Sequence, residues 1–174
     1  MAGIKLNIGS RIRAEGWKTL DIQAGPGVDY VGDCSALSQF ASASIETIYA
    51  SHVLEHISFR QIEKVLKEWR RVLQPGGTLM VAVPDMDAIC RLYVHPQTTP
   101  QDHTNLMMMM FGAQDDLHDF HHVGFNSELI AYYLHRADFE KITRVKEFGL
   151  FQDTSLWQFR GAPISLNVTA VKPA

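Results

Sequence analysis

The feature that most constrains the fold is a strand–helix–strand pattern within residues 45–83. Residues 45–50 are a short apolar run, and residues 58–73 place apolar side chains at three- and four-residue steps, the spacing of one buried helix face with Ser58 as its N-cap. The Pro-Gly-Gly sequence at 75–77 ends this predicted helix, because proline lacks an amide hydrogen and glycine accepts the angles of a sharp turn. Residues 78–83 are almost entirely apolar, as in a central parallel strand. Such a unit crosses over right-handed and predicts an α/β sheet.

Further elements are predicted on both sides of this unit. They are strands at 4–8, 19–22, 28–31, 141–148 and 164–171, a short helix after Asp85 through Tyr93, and a helix from Asn126 or Ser127 to Ala137. Residues 94–125 mix prolines, methionines and histidines without a regular period, so we expect an inserted lid or loop there. The chain has no internal repeat and no linker-like stretch, and we expect residues 1–174 to form a single domain.

Composition excludes several classes of protein. The 16 Lys and Arg residues against 19 Asp and Glu leave a formal charge of -3, which lacks the basic footprint of a nucleic-acid-binding protein. No stretch approaches the roughly 20 apolar residues of a membrane span, and the N-terminus does not resemble a signal peptide. The two cysteines, Cys34 and Cys90, lack the spacing of a zinc site or disulfide framework. The sequence therefore predicts a cytoplasmic protein that binds neither nucleic acid nor membrane.

Polar residues follow the predicted strands at the edge where ligands bind in open α/β sheets. A ribose diol needs a carboxylate that accepts both hydroxyl hydrogens, and an adenine amino group needs one acceptor beside an apolar slot. Asp21 and Asp33 fit these two needs, although each is also a common turn residue. Gly9 would let the first turn approach a ligand closely. Together these positions indicate a nucleoside site.

Six motifs follow one another in an order that resembles the class I S-adenosylmethionine-dependent methyltransferases. They are LNIGS, LDI, VGDCSAL, IYASHVLEHI, EWRRVLQPGG and LMVAVPD. More narrowly, the chain is similar to the small bacterial type-11-like group of predicted methyltransferases. The resemblance implies a Rossmann-like sheet that is mostly parallel with an antiparallel C-terminal strand, and it implies S-adenosylmethionine as the cofactor.

The resemblance also assigns cofactor contacts to individual positions. The methionine part would lie beside Asn7, Gly9 and Ser10, and the sulfonium side beside Ser51, His52 and Leu54. The ribose hydroxyls would bind Asp21, with Ile22 next to it, and adenine would face Asp33 and Cys34.

The first turn departs from the family's pattern. Residues 9–18 contain only Gly9 and Gly16 and leave little room for a helix, although parallel neighbours are normally joined by a dozen or more residues. The helix after the second strand is absent as well. We therefore expect reduced helices near the N-terminus and one thinly covered face of the sheet, which a second subunit of a homodimer would cover.

Several histidines have more than one interpretation. His52 and His56 are one helical turn apart, a spacing that metal sites use, but no third ligand is suggested nearby, so we predict no metal site. His56 is equally consistent with a structural and a catalytic role. The histidines of residues 115–122 lie among aspartates and could serve as a base, a metal site or a solvated loop. Among them, His121 matches the family's loose pattern of an aspartate, an aromatic residue and a histidine. We therefore expect His121 to face the methyl acceptor.

The leading hypothesis is an S-adenosylmethionine-dependent methyltransferase for a small-molecule or glycan-type acceptor. One alternative is a catalytically silent domain that binds the same cofactor and works in an assembly. A second is a dinucleotide-dependent oxidoreductase, which requires a G-x-G-x-x-G turn that this sequence lacks. The run at 107–111 is expected to be buried helix or packing material and not a substrate pocket, although methionines adapt to varied apolar ligands. The three tryptophans need no function.

Overall fold

The computed structural model describes residues 3–174, which form one central sheet, four α-helices and a small hairpin. The helices are α1 (Ile62–Val72), α2 (Met86–Tyr93), α3 (Pro100–Phe111) and α4 (Ser127–Arg136). The strands are β1 (Ile4–Ile8), β2 (Trp17–Asp21), β3 (Tyr30–Val31), β4 (Ile45–Ser51), β5 (Leu73–Pro84), β6 (Glu140–Val145), β7 (Gln158–Phe159), β8 (Ala162–Pro163) and β9 (Ser165–Val171).

The central sheet has seven strands in the order β3-β2-β1-β4-β5-β9-β6. Strands β1 to β5 are parallel to one another, whereas β9 is antiparallel to both β5 and β6. This arrangement confirms the prediction of a Rossmann-like, mostly parallel sheet with an antiparallel C-terminal strand. All five parallel strands end at one edge, which is where open α/β sheets bind ligands.

Helix α1 covers one face of the central strands with a continuous apolar side. Its buried residues are Ile62, Val65, Leu66, Trp69 and Val72. The Trp69 indole donates a 2.8 Å hydrogen bond to the carbonyl of Cys34, which ties the helix to the loop after β3. Ser58 is not the N-cap, because the helix begins at Ile62 after a preceding turn. The predicted turn at Pro75-Gly76-Gly77 is not a separate turn between helix and strand. These three residues lie within β5, where the pairing register with β4 shifts.

The N-terminal half has few helices, as predicted. Residues 9–16 join β1 to β2 without a helix, and residues 22–29 join β2 to a third strand of only two residues. The sequence predicted four residues for that strand and eight for β6, which has six. Short loops join these neighbouring parallel strands and leave no room for a helix. Among residues 3–174, no helix therefore covers this part of the sheet on the side opposite α1.

Aromatic side chains cover that face instead. Successive side chains of a strand point to opposite sides, so Ile48 and Ala50 join the core beneath α1 while Tyr49 points away from it. The ring of Tyr49 lies 4.7 Å from that of Phe151 and 5.4 Å from that of Phe148. Trp17 packs edge-on against Phe151 at 5.2 Å. The chain between β6 and β7 therefore covers the face for which we had proposed a second subunit.

Residues 94–125 contain a regular helix, of which the sequence had indicated only the stretch 107–111 as a helical alternative. Helix α3 begins at Pro100 behind a capping box, in which the side chain of Thr99 accepts from the Asp102 amide and Asp102 accepts from the Thr99 amide. Leu106 is its buried residue, and Met109 and Met110 pack with it against α2. The expectation of an irregular segment is therefore wrong for residues 100–111. The helix presents only a narrow apolar side, so the 3.6-residue period was weak.

Among residues 3–174, no helix has the length and apolar character needed to cross a membrane. Both cysteines are free thiols in the structure.

Hydrogen bonds of the Tyr49 hydroxyl also stabilise the aromatic cover of the sheet, in addition to contacts between the rings. The buried Tyr49 hydroxyl donates to Asp153 at 2.8 Å and lies 3.2 Å from the Ser155 hydroxyl. We expect Tyr49→Phe to lower the free energy of unfolding by about 1–3 kcal/mol, because buried partners lose their hydrogen bonds. Urea denaturation measures this change. Tyr132→Phe, at an exposed position on α4, is the matched control, and equal losses in the two variants would contradict the proposed stabilisation.

Candidate functional site

Two cavities meet at the carboxyl edge of the sheet. The first, which we call the strand-end cleft, has a volume of about 490 Å³ and lies beyond β1, β2 and β3. The second, which we call the apolar cavity, has a volume of about 430 Å³ and lies between β5, α3 and the segment before β7. His52 and His56 line both. A ligand in one cavity is therefore within reach of a ligand in the other.

Six of the predicted cofactor-binding residues line the strand-end cleft. They are Gly9, Asp21, Ile22, Asp33, Cys34 and His52. They come from the ends of four strands that are far apart in sequence, and only the parallel order of the sheet brings them together. The cleft also includes residues that were not predicted from the sequence, namely Leu20, Gly32, Val53, His56, Ile57, Leu117, His118 and His122.

Both aspartates of the cleft form turns with one carboxylate oxygen. The Oδ1 atom of Asp21 accepts from the Gln23 amide at 2.8 Å and lies 3.7 Å from the Arg11 guanidinium. The Oδ1 atom of Asp33 accepts from the Ser35 amide at 2.7 Å. Turn formation and ligand binding are thus compatible, because the second oxygen of each carboxylate is not used by these bonds. Arg11 was not anticipated, since nothing in the sequence pairs it with Asp21.

Gly9 and Cys34 shape the cleft in different ways. Gly9 has φ +69°, and a Cβ atom there would lie 2.6 Å from Cγ2 of Val53. Glycine is therefore needed both for the backbone angle and for the close approach of β1 to the segment after β4. Burial and the neighbouring charge of Asp33 raise the pKa of the Cys34 thiol to about 12. Cys34 is consequently protonated at neutral pH and presents an apolar surface.

Four predicted residues do not line the cleft. Leu54 is completely buried in the core, and Ser10 accepts a hydrogen bond from the Ile12 amide in its own turn. Ser51 shares a 2.9 Å hydrogen bond with the Thr154 hydroxyl. Asn7 is buried on β1, and both ends of its amide lack a hydrogen-bond partner among residues 3–174. An orphaned buried amide next to the glycine turn leaves room for a polar partner that the described chain itself does not supply.

His52 lies at the junction of the two cavities in a strained backbone conformation. Its φ of +55° is in the left-handed region, which costs a non-glycine residue about 1 kcal/mol or more. The Nε2 atom lies 2.9 Å from the Ser165 hydroxyl, which itself donates to the Thr154 carbonyl. The Nδ1 atom lies 3.1 Å from Oε1 of Glu55. These contacts hold the ring in one orientation.

The apolar cavity is lined mainly by hydrophobic side chains from three parts of the chain. They are Pro84 at the end of β5 and Ile89 of α2, Met108 and Met109 of α3, and Trp157 and Ile164 near the hairpin. Half of its lining residues come from the segment 94–125. Trp157, for which the sequence suggested no function, presents an exposed ring here.

His121 lies on the wall of the apolar cavity and is fixed by its neighbours. Its Nδ1 atom lies 3.2 Å from the carbonyl of Met109, and its amide donates to the carbonyl of Phe111 at 3.1 Å. Gly112, with φ +82°, permits this approach, because a Cβ atom there would overlap the carbonyl of Asp119. Burial lowers the pKa of His121, an effect that the charge of Glu55 partly opposes. The imidazole is therefore mainly neutral at pH 7.

A family model described as a methyltransferase domain matches residues 11–81. The match covers fewer than half of the residues and extends from the loop after β1 into β5. No curated protein sequence matches the chain.

Solved structures with similar folds include methyltransferases from several organisms. A SAM-dependent methyltransferase from Archaeoglobus fulgidus aligns with a TM-score of 0.61 and 12% identity, over 98% of this chain and 86% of that one. A SAM-dependent methyltransferase from Methanosarcina mazei gives 0.58 and 16% identity, over 97% and 92%. Phosphoethanolamine N-methyltransferase 2 of Haemonchus contortus, in complex with S-adenosyl-L-methionine, gives 0.58 and 14% identity, over 99% and 49%. This chain thus spans about half of the last protein.

These comparisons confirm the resemblance that the six sequence motifs indicated. The fold is that of the class I methyltransferases, and the family model places a methyltransferase domain on the strand–helix–strand unit and the turns before it.

The close approach at Gly9 gives a test of how the cleft is built. We expect Gly9→Ala to destabilise the protein by more than the roughly 1 kcal/mol that the backbone angle alone costs, because the new methyl group overlaps Val53. Gly16→Ala is the control, since Gly16 has φ +77° and no atom within 4 Å of the position that a Cβ atom would take. Thermal and urea unfolding compare the variants. The double variant Gly9→Ala, Val53→Ala removes the overlapping side chain and so separates the overlap from the effect of a cavity. Equal losses of unfolding free energy in Gly9→Ala and Gly16→Ala would show that the overlap with Val53 is relieved at no cost.

Proposed function

We propose that this chain, which has the fold of the class I methyltransferases and matches a methyltransferase-domain model over residues 11–81, transfers a methyl group from S-adenosylmethionine to a small-molecule acceptor. The observation that carries the proposal is the meeting of two cavities at His52 and His56. One cavity has the acidic and apolar groups that a nucleoside needs, and the other is large enough for a small acceptor. A catalytically silent domain would have no need of the second cavity at this position.

The strand-end cleft suits the cofactor. Asp21 would accept hydrogen bonds from the ribose hydroxyls, and Asp33 one from the adenine amino group, because each carboxylate keeps an oxygen outside its own turn. Ile22 and Cys34 would form apolar walls for the adenine ring. The constrained turn at Gly9 lies in the cleft and suits the polar methionine end, and the unpartnered amide of Asn7 is buried on β1 beside that turn. In the Haemonchus enzyme of similar fold, this cofactor is present.

The reaction requires little of the protein beyond placing two reactants. S-adenosylmethionine supplies an electrophilic methyl group, so the acceptor oxygen or nitrogen bonds to carbon as the carbon–sulfur bond breaks and S-adenosylhomocysteine is left. His52, held by Ser165 and Glu55, would position the two ligands at the junction. Fixed orientation and exclusion of water contribute much of the rate in such a transfer.

His121 is proposed to take the proton that the acceptor loses. A carbonyl oxygen only accepts hydrogen bonds, so the Nδ1 atom of His121 carries the hydrogen that points to Met109, and Nε2 keeps its lone pair. The lowered pKa keeps that lone pair free at neutral pH. Both properties are those of a general base.

The segment 94–125 is proposed to act as a lid that selects the acceptor. Met108, Met109 and His121 face the apolar cavity, while Leu117, His118 and His122 face the strand-end cleft. Methionine side chains adapt to ligands of varied shape, and the Trp157 ring offers a flat face for an apolar ring or a sugar. A glycan-type acceptor and a homodimer stay predictions, as does a cytoplasmic location.

Cofactor binding tests the role of Asp21. We expect Asp21→Asn to raise the Kd for S-adenosylmethionine at least about tenfold, because losing a charged hydrogen bond costs roughly 1.5–3 kcal/mol. Asparagine keeps an oxygen for the Gln23 amide, so the turn is preserved. Glu15→Gln, which removes the same charge from an exposed position in the preceding loop, is the control. Calorimetry with the cofactor measures both, and equal affinities would remove Asp21 from the site.

The proton-accepting role of His121 has a pH signature. Methyl transfer, followed as S-adenosylhomocysteine released with a panel of small hydroxyl and glycan acceptors, should be independent of pH near neutrality. Its acid limb should have a midpoint below the ordinary histidine pKa of about 6.5, because burial lowers the pKa of His121. His121→Ala should lower the rate by roughly 10²–10⁴ and abolish this acid limb. His135→Ala, on the exposed side of α4, should do neither. A normal rate in His121→Ala would end the proposal for this residue while leaving the cofactor site intact.

A further inference from the structure

A buried carboxylate with no hydrogen-bond partner lies beneath the junction of the two cavities. Glu55 is fully buried in the short 3₁₀ turn after β4, and neither of its side-chain oxygens has a hydrogen bond among residues 3–174. His52 approaches Oε1 to 3.1 Å, but not in the alignment of a hydrogen bond. A buried carboxylate that lacks hydrogen bonds is costly, so a group of this kind normally faces a partner that supplies them.

Two imidazoles converge on this carboxylate. Ligand atoms of Glu55, His56 and His121 all lie within 4.8 Å of one another. The rings of His56 and His121 contact each other edge to face at 4.8 Å between centroids. His56 follows Glu55 directly in the chain, whereas His121 arrives from the far side of the fold through the segment that pairs the His122 amide with the Glu55 carbonyl at 2.7 Å.

The hydrogen bonds of both rings fix the tautomer that a metal ion requires. Nδ1 of His56 lies 3.2 Å from the carbonyl of Phe120, and Nδ1 of His121 lies 3.2 Å from that of Met109. Because a carbonyl cannot donate, each Nδ1 carries the hydrogen and each Nε2 presents a lone pair. Metal-binding histidines are oriented in this way by backbone carbonyls in many proteins.

The donor set agrees with this arrangement. It consists of one carboxylate and two imidazoles whose Nδ1 atoms face backbone carbonyls. His52 stands outside it, engaged with Ser165.

We propose that Glu55, His56 and His121 bind a divalent first-row transition-metal ion, such as zinc or iron(II), at the junction of the two cavities. Two imidazoles and one carboxylate favour these ions over magnesium or calcium, which prefer oxygen ligands. Bonds of roughly 2.0–2.2 Å place ligand atoms about 3–4 Å apart, so the three side chains need to draw together by about 1 Å. Three protein ligands leave a position open toward the cavity, as catalytic metal sites do.

The role of the ion rests on the proposed function, although the site itself does not. An acceptor hydroxyl in the open position would have a lowered pKa. In the metal-bound protein the lone pair of His121 is a ligand, and in the metal-free protein it is available to take a proton. A bound metal ion would also explain why a carboxylate is buried at this position, where burying a neutral side chain would cost less free energy.

Cobalt(II) is the probe for the site, because its visible absorption reports nitrogen and oxygen ligands without an enzymatic reaction. Titration of chelator-treated, tag-free full-length protein should show one saturable binding event with Kd in the micromolar range or tighter. Zinc should displace the cobalt, and a large excess of magnesium should not. Absence of saturable absorption in the folded wild-type protein would overturn the proposal.

Variants separate this site from adventitious binding. His121→Ala and His56→Ala should each weaken cobalt binding at least tenfold, whereas His135→Ala should leave it unchanged. Glu55→Gln should do the same as the two histidine variants, and circular dichroism establishes that each variant is folded. Unchanged binding in both His121→Ala and His56→Ala would place the metal elsewhere and refute the site. Calorimetry with S-adenosylhomocysteine on the same protein distinguishes this failure from a failure of the proposed methyltransferase function.

Discussion

The packing of α1 against the central parallel strands is the constraint on which the rest of the structure depends. One face of β1, β4 and β5 is buried beneath the apolar side of this helix, and Trp69 at its centre is fully buried. The helix joins the parallel strands β4 and β5 through a crossover, a connection that is right-handed in almost all α/β sheets. The carboxyl ends of these strands then lie at one edge of the sheet. Gly9 and residues 51–56 follow those ends, so the direction of the strands is enough to make them neighbours in space.

The opposite face shows how the fold tolerates missing helices. A parallel sheet is normally covered on both sides, yet the loops after β1 and β2 are too short to cross it. Aromatic rings of the segment before β7 take this place and bury Tyr49 from the other side. The same segment continues to Thr154 and Trp157, which line the apolar cavity. The cover of the sheet and the wall of the candidate site are thus parts of one stretch of chain, so a change in one affects the other.

The segment 94–125 links the two cavities in a comparable way. Helix α3 packs on α2 through Leu106, and the turn at Gly112 returns the chain over the cleft. His121 is held by backbone groups of α3 and not by a flexible loop. A histidine fixed in this manner has a defined tautomer and a defined direction, which both proton transfer and metal binding require.

The sequence by itself determined the elements whose signals are local. The 3.6-residue period of α1, the apolar run of β5 and the acidic residues after short strands were sufficient for the parallel sheet, its ligand-binding edge, and the positions of Asp21 and Asp33. Helix α3 was largely missed because its apolar side is narrow and a capping box alone is a short signal. Only the tertiary structure could bring His121 to Glu55, turn Tyr49 toward Phe151, bury Leu54 and place Trp157 at a cavity, because each of these depends on chain segments that meet across the fold. Local patterns report what a residue's neighbours in sequence require, whereas a site assembled from four strand ends and a distant helix exists only once the sheet has put them at one edge.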